Sequence, residues 1–218
     1  MIKYFFILVI ACISLVGCYG PGPYLYHNST TSSLYVTTNV TATGVDLDPA
    51  VWDDLSIALA QAKTPASLAP TWTPYKGSQI PAYSSSAINV IYFSAQLPHS
   101  YKEGSSIEFH AHIVYPDNLA GNSVWYATYS WANVDSTFPV ATGVYLTVAS
   151  PTITDYHQLI NIVPSISGTG KKISSVLLCS LQRIGNHIED TYPSELYAVS
   201  ADFHFKKDTL GSRTEGVK

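Results

Sequence analysis

The sequence predicts an all-β fold: a jelly-roll-like β-sandwich with an N-terminal extended arm and at most one short helix. Three observations predict it. From residue 87 onward, runs of β-branched and aromatic residues recur with turn residues between them. Several of these runs alternate apolar and polar side chains with period two, the mark of half-buried strands. Charged residues are only 12% of the chain, about half the usual share, and Tyr alone occurs 16 times. Sparse charge with abundant Tyr, Thr, Val and Ile suits pleated sheet surfaces. Seven or eight strands at this spacing point to a sandwich or jelly roll, and no internal repeat argues for a solenoid or propeller.

The elements follow in chain order. Residues 1–18 read as an export signal: Lys3 precedes an apolar run from Tyr4 to Val16, and Leu15-Val16-Gly17-Cys18 supplies small residues before a cysteine. The layout resembles a bacterial lipoprotein signal, which implies diacylglyceryl attachment to the Cys18 thiol; a plain signal peptide and a retained anchor are the alternative readings. The 13-residue run is short of the roughly 20 residues needed to span a bilayer, and no second run of spanning length follows. Residues 19–44, rich in Gly, Pro, Tyr and Ser/Thr, read as a tether or arm, with a first strand over Leu34–Val40. Residues 45–218 read as the sandwich domain. Asp46–Lys63 is the one helix candidate, with Asp48 as cap, Pro49 in the first turn, and Val51, Leu55, Leu59 and Ala62 on one face; a strand-like reading stays open. Residues 64–86, broken by Pro65, Pro70, Pro74 and Pro81, read as loop.

Strands are then expected at Ala87–Leu97, Ser106–Tyr115, Ser123–Trp131, Gly143–Ala149, His157–Val163, Ile173–Arg183 and Glu195–Phe205. Pro116-Asp117-Asn118, Gly168-Thr169-Gly170 and Gly185-Asn186 carry turn chemistry between them. In Ser106–Tyr115, alternation sets Ile107, Phe109, Ala111, Ile113 and Tyr115 on one face and His110 and His112 on the other.

With a formal net charge of −4 and no basic patch, nucleic acid is not an expected partner. Apart from Cys12 and Cys18 in the leader, Cys179 stands alone in an apolar run, expected buried and inert. No Gly-x-Ser-x-Gly elbow or phosphate loop of the right spacing occurs, so no catalytic residues are assigned. The adjacent acids Asp53-Asp54 and Glu189-Asp190 read as solvated surface. Trp52, Trp72, Trp125 and Trp131 are candidates for a sugar-stacking platform, against the commoner packing role.

His110 and His112 are the candidate metal ligands. Two imidazoles two residues apart on a strand project to one face and can share an ion. Gly104, five residues, then His-x-His also resembles the first half of the cupin metal signature. Asp117 replaces the usual glutamate, and the second half has no clean match. Candidate third ligands are His99, His157 and His204. The bland alternative is a hydrogen-bonded histidine pair in a polar seam or an interface.

Five blocks carry a wider resemblance: Trp52-Asp53-Asp54-Leu55; Gln96-Leu97-Pro98-His99-Ser100-Tyr101-Lys102-Glu103-Gly104; His110-x-His112; Ile173-Ser174-Ser175; and Asp208-Thr209-Leu210-Gly211-Ser212-Arg213-Thr214-Glu215. In this order, over residues 45–218, they resemble a family of small structural proteins of tailed bacteriophages. Ile113 departs from that family, where Trp tends to follow the second His, and so does the export leader. The resemblance implies a non-enzymatic, oligomeric β-sandwich of the virion or of host attachment, with other virion proteins or a host-surface glycan as partners. A homo-oligomer is expected, a trimer foremost. The leader supports an alternative, a lipoprotein held on the bacterial membrane through Cys18 that binds glycans or excludes phage. The second alternative is a cupin-like metal protein with its ion at His110 and His112; otherwise no cofactor is expected. Localisation is accordingly the virion, or the bacterial surface after export. The polar closing segment is expected to dock on its own sheet or on a neighbouring subunit.

Overall fold

The computed structural model of the chain describes residues 25–28, 33–36, 46–212 and 214. The leader and Cys18 lie outside the described residues, as do parts of the arm and Arg213. Two units are distinguished, residues 1–43 and 44–218. In the first, β1 (Leu25–Asn28) and β2 (Ser33–Val36) pair antiparallel, Leu25 opposite Val36.

The second unit is a β-sandwich. Its strands are β3 (Asp46–Ala58), β4 (Thr71–Tyr75), β5 (Ser78–Tyr83), β6 (Ile88–Gln96), β7 (Ile107–Tyr115), β8 (Asn122–Ala132), β9 (Thr142–Ala149), β10 (Tyr156–Ile166), β11 (Val176–Ile184) and β12 (Leu196–Thr209). From β5 onward the pairing is nested: β5 with β12, β6 with β11, β7 with β10 and β8 with β9, all antiparallel. A ribbon whose first strand pairs with its last, folded over on itself, is the jelly-roll winding. It yields a four-stranded sheet of order β6-β11-β8-β9 and a second sheet of order β10-β7-β12-β5-β4, with β3 added beside β12.

The seven strands expected after residue 87 are present with ends shifted by a few residues. Two expectations upstream are overturned. Asp46–Lys63 is not a helix: it is β3 followed by a single 3-10 turn at Leu59–Gln61. Fourteen-residue β12 runs beyond β5, which pairs only with Leu196 and Tyr197, and from Ser200 to Thr209 its free edge is taken by β3. Backbone groups along that edge need partners, and an extended β3 supplies them. Leu55 and Ile57 turn inward and Trp52, Asp54 and Ser56 outward. The register slips between Val51 and Asp46, at the stretch containing Pro49, which has no N–H to donate.

Nor are residues 64–86 all loop: β4 and β5 form a hairpin. Its turn residues Lys76 and Gly77 both have positive φ, 46° and 84°, the geometry of a two-residue turn that suits strand twist. Pro81 is tolerated because the pairing of β5 with β12 begins only at Ala82.

The core lies between the sheets. Phe109 of β7 stacks on its cross-strand neighbour Phe203, ring centroids 4.9 Å apart, and meets Phe93 of the opposite sheet edge-on at 5.9 Å. Tyr83 and Trp125 make a similar inter-sheet contact at 5.3 Å. Trp125 and Trp131 are core residues whose indole N–H groups donate to Ser123 and Ser175, so neither can serve a sugar platform; Trp52 and Trp72 remain at the surface. Cys179 is buried, and burial pushes its thiol pKa far up, which suits an inert residue.

Arg183 is fully buried, and all its N–H groups are used. It forms a bidentate pair with Asp190 (3.0 and 2.8 Å) and donates to the carbonyls of Tyr83, Tyr192 and Ser194. Asp190 also accepts from the Val124 amide. Asp190 is therefore not the solvated surface acid its sequence context implies: its side chain is 0% exposed.

Candidate functional site

The outward face of β7 and its neighbours carries a block of imidazoles and carboxylates. Period-two alternation puts Glu108, His110 and His112 of β7 on this face, with Asp202 and His204 of β12 and Asp54 of β3. Register then brings them together: Asp202 lies opposite His110, and His204 opposite both Glu108 and Asp54. On the other side of β7, Leu159 of β10 pairs with His112, and His157 sits two residues before it.

The contacts are close. His204 Nε2 lies 2.8 Å from Asp202 Oδ2, 3.1 Å from Asp54 Oδ1 and 3.2 Å from His110 Nδ1. His110 Nδ1 is 3.7 Å from Asp202 Oδ2, and its Nε2 is 3.4 Å from Glu108 Oε2. The other oxygen of Asp202 lies 3.0 Å from His112 Nε2, while His112 Nδ1 contacts His157 Nε2 at 2.7 Å. Ligand atoms of Glu108, His110 and His204, and of Asp54, Asp202 and His204, fall within 4.8 Å of one another. Burial, reinforced by the neighbouring His204 and opposed by Asp202 and Glu108, pushes the His110 pKa down; burial and His112 do the same for His157. Both shifts favour the neutral imidazole, the form that binds metals.

Of the expected ligands, His110 and His112 do share a face. His112 turns toward His157 and belongs to neither close triad, whereas His204, a candidate third ligand, joins His110 directly. His99 lies elsewhere, with Ser174 and Ser212. Asp117 sits in the turn after β7 and accepts from Tyr192, Ser194 and the Leu119 amide. Asp202, Glu108 and Asp54 escaped sequence reasoning as ligands. A signal existed for two of them: Glu108-x-His110 and Asp202-x-His204 have the same one-face spacing as His110-x-His112.

The opposite outer face, on β6-β11-β8-β9, has a different chemistry. Its outward positions include Tyr92, Ser94, Leu178, Ser180, Gln182, Tyr126, Thr128, Ser130, Tyr145 and Thr147, with no charged residue among them. Tyr92, Leu178 and Tyr145 are exposed. Tyr126 and Tyr145, directly paired across β8 and β9, place their rings 4.4 Å apart. Gly143 makes room for them: a Cβ there would sit 2.0 Å from the Tyr126 hydroxyl.

Three of the five sequence blocks of the phage-protein resemblance, 96–104, 173–175 and the closing block through Ser212, meet at one end of the sandwich. His99 bridges Ser174 (2.9 Å) and Ser212 (2.5 Å), Glu103 accepts from the Ile173 amide, and the Leu97 backbone pairs with Ser174 and Ser175. The Lys102 amide donates to the Lys206 carbonyl, and Tyr101 bridges to Lys207. The described part of the closing segment thus docks on its own domain.

No family model and no curated protein matches the chain. Among solved structures it is similar to dimeric latent PorU from Porphyromonas gingivalis (TM-score 0.36, 8% identity, 85% of this chain and 18% of that one). It is also similar to the VP2 subviral particle of infectious bursal disease virus (TM-score 0.36, 12% identity, 84% and 38%). A third is a carbohydrate-binding module specific for non-crystalline cellulose, CBM28 (TM-score 0.33, 9% identity, 78% and 97%). The chain spans well under half the length of the first two.

Proposed function

We propose that the chain is a non-enzymatic structural or host-attachment subunit of a phage-type particle and works as a homo-oligomer, a trimer foremost. The observation that carries this reading is the uncharged outer face of β6-β11-β8-β9. Its strand positions of Tyr, Leu, Ser, Thr and Gln carry no charge to strand on desolvation, Glu189 standing beside them against Thr147 at 3.4 Å, and aromatic residues are typical of interface centres. A second copy of the chain is its occupant in this reading. The convergence of three of the five resemblance blocks at one end of the sandwich adds support, because it gives those residues a shared structural task. Mass spectrometry of purified particles tests the assignment: the chain is expected at stoichiometric level, and its absence from every particle preparation would sink it.

A second reading is favoured by the export leader and by the Tyr126–Tyr145 ring pair: a surface lipoprotein held through Cys18 that stacks sugar rings on the same face. It predicts that Cys18→Ala releases the protein from membranes and that Tyr145→Ala abolishes glycan binding in an array. Unchanged fractionation of Cys18→Ala would remove its basis.

A further inference from the structure

We propose that the block on β3, β7 and β12 is a binding site for a divalent transition-metal ion of the zinc class, held by His110 Nδ1, His204 Nε2, Asp202 and Asp54. The four donor atoms come from three strands in register: His204 Nε2 lies 2.8 Å from Asp202 Oδ2, 3.1 Å from Asp54 Oδ1 and 3.2 Å from His110 Nδ1, and His110 Nδ1 lies 3.7 Å from Asp202 Oδ2. Tetrahedral ligands at bond lengths of about 2.0–2.1 Å stand roughly 3.3 Å apart, so the spacing brackets what one ion requires. Two imidazoles with carboxylates suit zinc and its first-row neighbours rather than calcium or magnesium, which take all-oxygen sets.

Further support comes from how poorly the block's buried polar atoms are aligned for hydrogen bonds among themselves. Asp202 and His110 have side chains only 4% and 5% exposed, yet Asp202 Oδ1 and His110 Nε2 make no aligned hydrogen bond, although they stand 3.0 Å from His112 Nε2 and 3.4 Å from Glu108 Oε2 respectively. Buried polar atoms are rarely left so. Within the block only the His110–His204 and His112–His157 contacts are aligned as hydrogen bonds; the carboxylates approach the rings without that alignment. Three carboxylates crowd the imidazoles, and Lys206, two residues beyond His204 on β12, is drawn over the Trp52 ring at 5.1 Å. A divalent ion would balance the charge.

The surrounding residues complete the arrangement. Glu108 stands where it can accept from His110 Nε2 once Nδ1 holds the ion, and His112, backed by His157, faces the second oxygen of Asp202. Such outer partners orient the ligands and commonly matter about 10–100-fold in affinity. An ion held by Asp54, His110, Asp202 and His204 would thereby tie β3, β7 and β12 together across the outer face.

Zn²⁺ titrated calorimetrically into chelator-stripped full-length protein tests the site, with Co²⁺ absorption as a second readout. One ion per chain and visible Co²⁺ bands are expected. His204→Gln should abolish binding, Asp54→Asn should weaken it at least tenfold, and His112→Ala should weaken it about 10–100-fold. His187→Gln, away from the block, should change nothing. The Asp54 side chain is 64% exposed, so Asp54→Asn should fold normally and decides the matter even where His204→Gln does not fold. No stoichiometric binding, or binding untouched by Asp54→Asn, overturns the site. The assembly reading does not depend on it: a chain that oligomerises without metal refutes only this inference.

Discussion

Arg183 and Asp190 show how much one pair can decide. Both are fully buried, and the guanidinium uses every N–H on Asp190 and three backbone carbonyls. Removing one partner strands the other charge, so Arg183→Met or Asp190→Ala should each cost about 3–5 kcal/mol, measured by urea unfolding. In sequence, Glu189-Asp190 looks like an ordinary exposed turn; only the fold shows that the strand-end arginine points inward. Asp117 offers a pH test. Burial raises its pKa, but hydrogen bonds from Ser194, Tyr192 and the Leu119 amide outweigh that and leave it below the ordinary carboxylate value. Its contribution to stability is therefore complete above the unfolded value, near pH 4, and is lost as pH falls through the lowered folded value. Thermal melts of Asp117→Asn against the parent should converge as the pH drops through that window.

At the scale of elements, β3 explains why a strand was legible as a helix. Val51, Leu55 and Leu59 are four residues apart, a spacing that serves a helical stripe and an even-numbered strand face alike. Ile57, two residues from Leu55, fits only the strand, and what selects the strand is the free edge of β12, which no local pattern announces. The β4–β5 hairpin was hidden differently: its prolines read as breakers, and Lys76-Gly77 is a weak hairpin signal beside Asn-Gly. The strands from β6 onward were legible because β-branched and aromatic runs recur between turn residues, with β7 and β8 alternating at period two. The clasp around His99 is an element-scale prediction. His99→Ala removes two side-chain hydrogen bonds and should lower stability by about 1–2 kcal/mol in chemical denaturation. Truncation after Lys207 should have a similar or larger effect, since it deletes Ser212 and the turn that presents it. Gly143→Ala should displace the Tyr126 ring, visible as a changed near-UV circular dichroism spectrum with the fold retained.

At the scale of the molecule, nested pairing from β5 with β12 inward to β8 with β9 divides the surface into two faces of opposite character. One collects histidines and carboxylates on β3, β7 and β12; the other has strand positions without charge, three of them Tyr, with Glu189 beside Thr147. Fold class was readable from periodicity and composition, and one corner of the polar block from His110-x-His112. The rest of that block was not, because Asp54 and Asp202 lie far apart in sequence and meet only through strand order. The uncharged face was likewise invisible as a surface, being assembled from four strands each carrying only a few of its residues.

The assembly reading rests on that uncharged face, and light scattering coupled to size exclusion tests it most directly. The sandwich domain should run as a closed oligomer, and Tyr145→Arg, which places a charge at an exposed position of the face, should shift it to monomer without altering its circular dichroism spectrum. A parent protein that is monomeric at about 100 µM, roughly the dissociation constant of a weak contact worth about 5–6 kcal/mol, would contradict it, as would an oligomer that Tyr145→Arg leaves intact.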